Sequence, residues 1–292
     1  SGTIGVSYLN LEIGKRFIQE SSKLGVTRQS FEGGEPTQGF YGSSNPTREL
    51  IEYSTNLGLK TQLITNGNWI LEQIGEVPHN IAQFFADHDT EVVFSIDAFH
   101  NSRSYNANPV PLKIAYSAIV HYLQATGRKN VIINQISPID DNISRINELI
   151  YGQLRTTLDE AELSDVNIRL RNLSLQDSVQ SLKDEVKNNI LYDPLAYRCP
   201  VAVQNIPLTP RLNHNGDLSF CASTVLGLPF TLGNYASLAA NEKSNLLEKM
   251  FNHDPDILDD HIVAMLRLWF ENSFGEINNK ETFENILEIY YK

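Results

Sequence analysis

Residues 26–36, VTRQSFEGGEP, run from a short stretch that reads as a β-strand (26–32) into Gly33 and Gly34, and then into Glu35 and Pro36. A strand that ends on adjacent glycines leaves backbone N–H and C=O groups open to a ligand, because no side chain shields them. Glu35 adds an acceptor at that point and Pro36 stiffens the exit. Upstream, residues 9–24 place Leu11, Ile13, Phe17, Ile18 and Leu24 on one helical face, with Gly25 as the stop. Downstream, Pro46, Thr47 and Arg48 open a helix that reaches to about Gly58, with Leu50, Ile51, Tyr53 and Leu57 as its apolar side.

The same strand–turn–helix unit recurs along the chain. Residues 59–64 (LKTQLI) read as a strand ending at Thr65-Asn66-Gly67, 78–88 as a helix, and 91–96 (EVVFSI) as a strand ending at Asp97. A helix over 110–126 stops at Gly127; 130–136 is the next strand, 141–160 the next helix and 166–173 the last strand. Apolar strands buried on both faces and joined by helical crossovers predict a parallel sheet with helices outside, either doubly wound or a barrel, whole or partial. Neither GxGxxG nor GxxxxGK[ST] occurs, so the usual nucleotide fingerprints are absent.

Composition sets the outer bounds. The chain has 292 residues, 41% hydrophobic and 20% charged, which suits a globular protein with a real core. Thirty-five acids against 23 bases give a net charge of −12, and the longest basic cluster is Arg128–Lys129, which argues against a nucleic-acid partner. No apolar run approaches the ~18 residues of a membrane span, and no signal peptide is visible, so no membrane partner and a cytoplasmic location are expected. The chain opens on Ser1-Gly2 and its methionines are Met250 and Met265, which fits either a tag scar or a start downstream of the natural one.

Past about residue 190 the texture changes: 192–234 is rich in Pro, Gly and Asn, holds both cysteines, and carries a hairpin signal at Asn215-Gly216. The tail, 235–292, reads as helical and acidic, with apolar clusters at Leu246-Leu247 and Ile262–Phe270. Two domains are therefore expected, an α/β domain over 1–190 and a smaller one over 191–292, with a hairpin and helices.

In parallel α/β sheets, sites form at the carboxyl ends of the strands. Phe31–Pro36 (FEGGEP), then LITNG at 63–67, then FSIDAFH at 94–100 closely resemble, in order and spacing over roughly residues 8–175, the core of radical S-adenosylmethionine (radical SAM) enzymes. GGEP occurs by chance on the order of 0.004 times in a chain of this size. The resemblance implies a partial (β/α)6 TIM-like barrel, here with its first strand missing or truncated. It implies that Gly33, Gly34, Glu35 and Pro36 bind the amino group of the cofactor's methionine moiety, largely through backbone. Thr65 and Asn66 would line the cavity, Ser95 and Asp97 would face ribose or substrate, and Asn134, with 135–137 and 171–173, would approach adenine or substrate.

The family holds a [4Fe–4S] cluster on a CxxxCxxC loop, and that motif is absent from this sequence. A start downstream of the cluster loop is one explanation, and a cluster-less relative is the other. Either way, the chain by itself is expected to be inactive in reductive cleavage. Cys199 and Cys221, around LTPRLNHNGDLSFC and before Leu232-Gly233-Asn234, resemble the SPASM/twitch extension of some family members. Their thiolates would serve an auxiliary iron–sulfur cluster, although such clusters take four thiolates; two buried free thiols are the plainer alternative.

The seven histidines form no HExxH, and no GxSxG elbow occurs. His100, Arg103 and Tyr105 follow the SIDA strand end and are candidate substrate contacts or merely solvated loop residues. The leading expectation is an enzyme. A reduced cluster, fed by a flavodoxin or ferredoxin, would cleave S-adenosylmethionine to a 5′-deoxyadenosyl radical that modifies a substrate, either a small molecule or, from the SPASM-like tail, a peptide or protein. The alternatives are a binding module without catalysis and an unrelated hydrolase-type or sugar-phosphate enzyme.

Overall fold

Amphipathic segments and short apolar runs alternate in space as they do in sequence. The computed structural model describes residues 8–32, 35–42, 44–73, 80–101, 110–136, 141–173, 210–219, 232–252 and 254. The chain divides into two compact units, Ser1–Leu175 and Gln176–Lys292. The boundary expected at residue 190 lies outside the described residues.

The first unit runs α1 (Leu11–Lys23), β1 (Arg28–Phe31), α2 (Thr47–Asn56), β2 (Lys60–Thr65), α3 (Ile70–Gln73), α4 (Ile81–Asp87), β3 (Glu91–Ser95), α5 (Ala98–Asn101), α6 (Leu112–Thr126), β4 (Asn130–Ile136), α7 (Asp141–Glu160) and β5 (Asn167–Leu173). The Asn10 side chain caps α1 by accepting from the backbone N–H groups of Glu12 and Ile13. α6 ends at Gly127, whose φ of +64° is the left-handed conformation that lets the chain turn back toward the sheet. Two expected core residues are not in the core: Leu24 and Leu57 each follow the last residue of a helix and are 38% exposed. Gly14 and Ser21 lie on the buried face of α1 instead.

The five strands form one parallel sheet in the order β1-β2-β3-β4-β5. Each crossover therefore steps to the next strand in the same direction. Right-handed crossovers then place the connecting helices on one face, whereas a doubly wound sheet requires the order to reverse. Side-chain chemistry agrees with single winding. Register partners share a face, and Leu63, Val92, Phe94 and Ile133 face the helices, all under 2% exposed. Phe94 meets Tyr122 of α6 at 5.9 Å between ring centres.

The opposite face is apolar only in part: Ile64, Val93 and Ile132 lie on it, with Val93 fully buried, among polar residues. Gln62, Glu91, Ser95, Asn134, Arg169 and Arg171 alternate with the helix-facing residues and share that face. Glu91 Oε2 accepts from Gln62 Nε2 at 2.5 Å and lies 3.3 Å from Arg28 Nη2, which bridges the first three strands.

In the second unit, β6 (Arg211–Leu212), β7 (Asp217–Ser219) and β8 (Gly233–Asn234) make an antiparallel sheet, and α8 (Ala240–Phe251) follows. The Asn215-Gly216 signal falls in the turn between β6 and β7, where Gly216 takes φ +88° and donates its N–H to Asn213 O at 2.9 Å. The helical tail is seen over Ala240–Phe251, with Leu247 buried; the Ile262–Phe270 cluster lies outside the described residues. No helix among the described residues is long and apolar enough to cross a membrane.

Candidate functional site

Because the sheet is parallel, the carboxyl ends of its strands form one edge, and the expected site segments lie along it. Glu35 follows β1, Thr65 and Asn66 close β2, Ser95 and Asp97 close β3, and Asn134 lies in the last half of β4.

Glu35 ties the first two of these ends together. Its Oε1 accepts from Thr65 Oγ1 at 2.7 Å, from Thr37 N at 3.1 Å and from the Thr37 hydroxyl, while Oε2 accepts from Asn66 N at 2.9 Å. Thr65 Oγ1 in turn accepts from Gly67 N at 3.0 Å, and Asn66 Oδ1 accepts from Asn68 N at 2.9 Å. A carboxylate with several donors from one neighbouring loop fixes the spacing of both loops, and bonds to a charged acceptor are the stronger kind. Pro36 contributes its carbonyl, which accepts from Asn45 Nδ2 at 2.9 Å; the same amide donates to Gln38 O at 2.8 Å. Gly33 and Gly34 lie outside the described residues.

Two aromatics anchor this knot. Phe40, in the β1–α2 loop, packs edge-on against Phe84 and Phe85 of α4, and Trp69, beyond β2, packs edge-on against the same Phe85 at 5.7 Å. Both rings are 1% exposed. The two loops that carry Glu35 and Asn66 are thus fastened to one helix by apolar burial and joined to each other by one carboxylate.

Ser95 and Asn134 make a second group. They are register partners on the polar face of the sheet, and Arg171 is Asn134's partner on the next strand. Asn134 is 1% exposed and its Oδ1 has no hydrogen-bond partner. Such an orphan acceptor is uncommon in a native interior and marks a place where a donor is missing.

Asp97 makes a third group with His100. It is fully buried at the start of α5, where its Oδ1 accepts from His100 N at 2.8 Å and lies 2.8 Å from His100 Nδ1. The turn that carries it is held from α7: Asn147 Oδ1 accepts from Ala98 N at 2.9 Å, and the Tyr151 hydroxyl lies within hydrogen-bond distance of Ile96 O and Gln135 Oε1. Burial, and next the nearby Asp97, push the Tyr151 phenol well above its usual range, so it stays a donor.

Sequence reasoning missed Thr37, Asn45, Asn147 and Tyr151. All four act through bonds to residues on other elements, which no local spacing records. Arg103, Tyr105, Cys199 and Cys221 lie outside the described residues. Among the described residues no group of three or more His, Cys, Asp or Glu is placed to hold a metal ion. The described residues therefore do not fit an iron–sulfur cluster.

No protein-family model matches the chain, and no curated protein matches it. Solved structures do. The chain is similar to anSMEcpe with bound AdoMet (S-adenosylmethionine), at 14% identity over 83% of this chain and 73% of that one, with a TM-score of 0.46. It is similar to the same protein bound to AdoMet and the Cp18Cys peptide, at 14% identity over 82% and 73%, with a TM-score of 0.47. It is also similar to SuiB of Streptococcus suis, at 16% identity over 80% of this chain and 58% of that one, with a TM-score of 0.42.

Proposed function

We propose that this chain carries the S-adenosylmethionine-binding part of a radical SAM enzyme, with its five strands as the wall of a partial (β/α)6 barrel and its second unit as a SPASM/twitch-like extension. The observation that carries the reading is the Glu35 knot. It binds the GGEP loop to the TNG loop at the edge where Ser95 and the orphaned Asn134 also lie. Gly33, Gly34, Glu35, Pro36, Thr65, Asn66, Ser95, Asp97 and Asn134 would hold the cofactor.

The orphaned Oδ1 of Asn134 accepts an N–H, and S-adenosylmethionine has N–H donors at both ends, so the residues present fit it. When bound and reductively cleaved, the cofactor supplies a carbon radical that takes a hydrogen atom from a substrate. The chain's own residues do the rest. Glu35 and Thr37 keep the two loops at a fixed separation, Asn134 orients a donor, and the polar strand face receives the substrate. Since the described residues do not fit a cluster, no electron-transfer step is assigned to them; a flavodoxin or ferredoxin is the proposed reductant for the complete system.

The number of thiols favours a second reading: the sequence has two cysteines, fewer than one cluster takes. On that reading the chain binds S-adenosylmethionine without cleaving it. One experiment separates the two. Titration of S-adenosylmethionine by calorimetry should give saturable binding that Glu35→Gln weakens; no binding would end both readings. Anaerobic reconstitution with iron and sulfide, then dithionite and S-adenosylmethionine, should release no 5′-deoxyadenosine from this chain. Release would refute the claim that it cannot act alone.

A further inference from the structure

α7 starts just past the carboxyl end of β4 and returns to the amino end of β5, so its first half lies toward the site edge of the sheet and its last half toward the far edge. Among the described residues its buried side chains are Asn147, Ile150, Leu154 and Leu158, at the spacing of one helix face. The polar one is nearest the site edge, and Tyr151, one turn further on, brings a hydroxyl to the same place. Asn147 Oδ1 accepts from Ala98 N at 2.9 Å, and its Nδ2 lies 3.5 Å from Gln135 Oε1. The Tyr151 hydroxyl donates to Gln135 Oε1 at 2.5 Å and lies 3.3 Å from Ile96 O. Ile96 N in turn donates to Asn134 O at 3.2 Å. One helix therefore grips the chain on both sides of Asp97, and the strand beside it. Apolar side chains would cover the sheet here as they do further along α7; burying an amide and a phenol instead costs desolvation that only well-placed bonds offset.

We infer that Asn147 and Tyr151 are positioning residues that set the spacing of the β3 and β4 ends, and so of the groups those ends present on the opposite face. This rests on reading the carboxyl-end edge as an S-adenosylmethionine site. Asn134 and Gln135 are consecutive on β4, so their side chains leave opposite faces of the sheet. Fixing Gln135 from α7 fixes the strand that aims Asn134, and fixing Ile96 O and Ala98 N fixes the turn that carries Asp97. Both residues reach the sheet from its helix side, so they act through backbone and through Gln135 and not on a ligand. The device is the counterpart of Glu35: one carboxylate spaces the ends of β1 and β2, and α7 spaces those of β3 and β4. A hydrogen-bonded brace has one preferred geometry, whereas an apolar contact tolerates repacking. Polar groups that meet a ligand must be held to within about 0.5 Å, which calls for a brace of the first kind.

The test compares Tyr151→Phe, Asn147→Ala and Leu158→Ala in the full chain, each titrated with S-adenosylmethionine by calorimetry and unfolded in urea. Tyr151→Phe removes one oxygen and leaves the ring packed. It and Asn147→Ala should each weaken S-adenosylmethionine binding about tenfold. Leu158→Ala opens a cavity at the far end of the same helix face. It should lower the urea midpoint at least as much as Tyr151→Phe does, yet leave the affinity within about twofold of wild type. A merely structural role would instead make affinity follow the midpoint across all three variants. In the free protein, the Asn134 side-chain amide resonances should shift in Tyr151→Phe and stay in place in Leu158→Ala. If Asn147→Ala does not fold, Tyr151→Phe decides alone. Wild-type affinity in Tyr151→Phe, an unmoved Asn134 resonance, or affinity that falls in step with stability would overturn the inference and leave the cofactor reading standing. No binding by the wild-type protein would end the cofactor reading and the inference with it.

Discussion

A carboxylate that collects donors from two threonines and from a backbone amide on the next strand is hard to replace even with its own amide. In Glu35→Gln, one oxygen becomes an NH2 group that must face either Asn66 N or the Thr37–Thr65 pair, each of which already brings a hydrogen. Losing a charged, part-buried acceptor should destabilise the fold by about 1.5–3 kcal/mol in urea unfolding. It should also lower S-adenosylmethionine affinity, because the two loops lose their common tie. A change below about 0.5 kcal/mol would mean that the knot is ornamental. Asn134 predicts the opposite sign. Its buried Oδ1 has no partner, so Asn134→Leu, with the same branching and number of side-chain heavy atoms, should stabilise the free protein by about 1 kcal/mol while abolishing cofactor binding. A melting temperature that falls would show that the acceptor is satisfied. The motifs made Glu35, Thr65, Asn66 and Asn134 legible as polar residues at strand ends. They gave no sign that one residue is a clamp and another an orphan, because that difference depends on which elements arrive opposite each side chain.

The elements were legible where the period of their side chains is long enough to count. β4 and α7 occupy the ranges their patterns predict, and the other strands begin or end within two residues of expectation. α3 and α5, four residues each, and β8, two residues, are too short to show a period and arise from packing. The turn after β2 shows what packing demands. Gly67 takes φ +82°, and a Cβ there would lie 3.1 Å from Ala118 Cβ and 3.2 Å from Ala115 Cα of α6. Gly58 takes φ +77° with nothing within 4 Å. Gly58→Ala should therefore cost only left-handed strain, about 1 kcal/mol, and Gly67→Ala about 2–3 kcal/mol, since backbone must also give way. Chemical denaturation of the two variants decides the matter; equal losses would mean that α6 does not hold the turn tightly.

At the scale of the whole molecule, buried phenols set an alkaline limit. Burial pushes the Tyr116 hydroxyl, which donates to Ile150 O at 2.8 Å, up to about 12 from its ordinary 10. Burial likewise raises Tyr122, the contact between α6 and β3. Above pH 10 the unfolded chain loses these protons while the native state keeps them. The Tyr116 contribution is complete below pH 10 and is lost as pH rises toward 12. Stability should fall by about 1.4 kcal/mol per pH unit on account of Tyr116 across that interval. Tyr116→Phe should flatten the fall, as followed by urea midpoints at successive pH values; an unchanged slope would remove Tyr116 from the account.

The strand order β1-β2-β3-β4-β5 also bears on how the chain comes to be folded. Among the described residues each strand of this sheet after β1 pairs with the strand made just before it, so none of these pairings waits for a distant part of the chain. Parallel sheets are slow to form when their partners are far apart in sequence. Here each βα unit can dock on the growing edge as it leaves the ribosome, and the sheet can be laid down in the direction of synthesis.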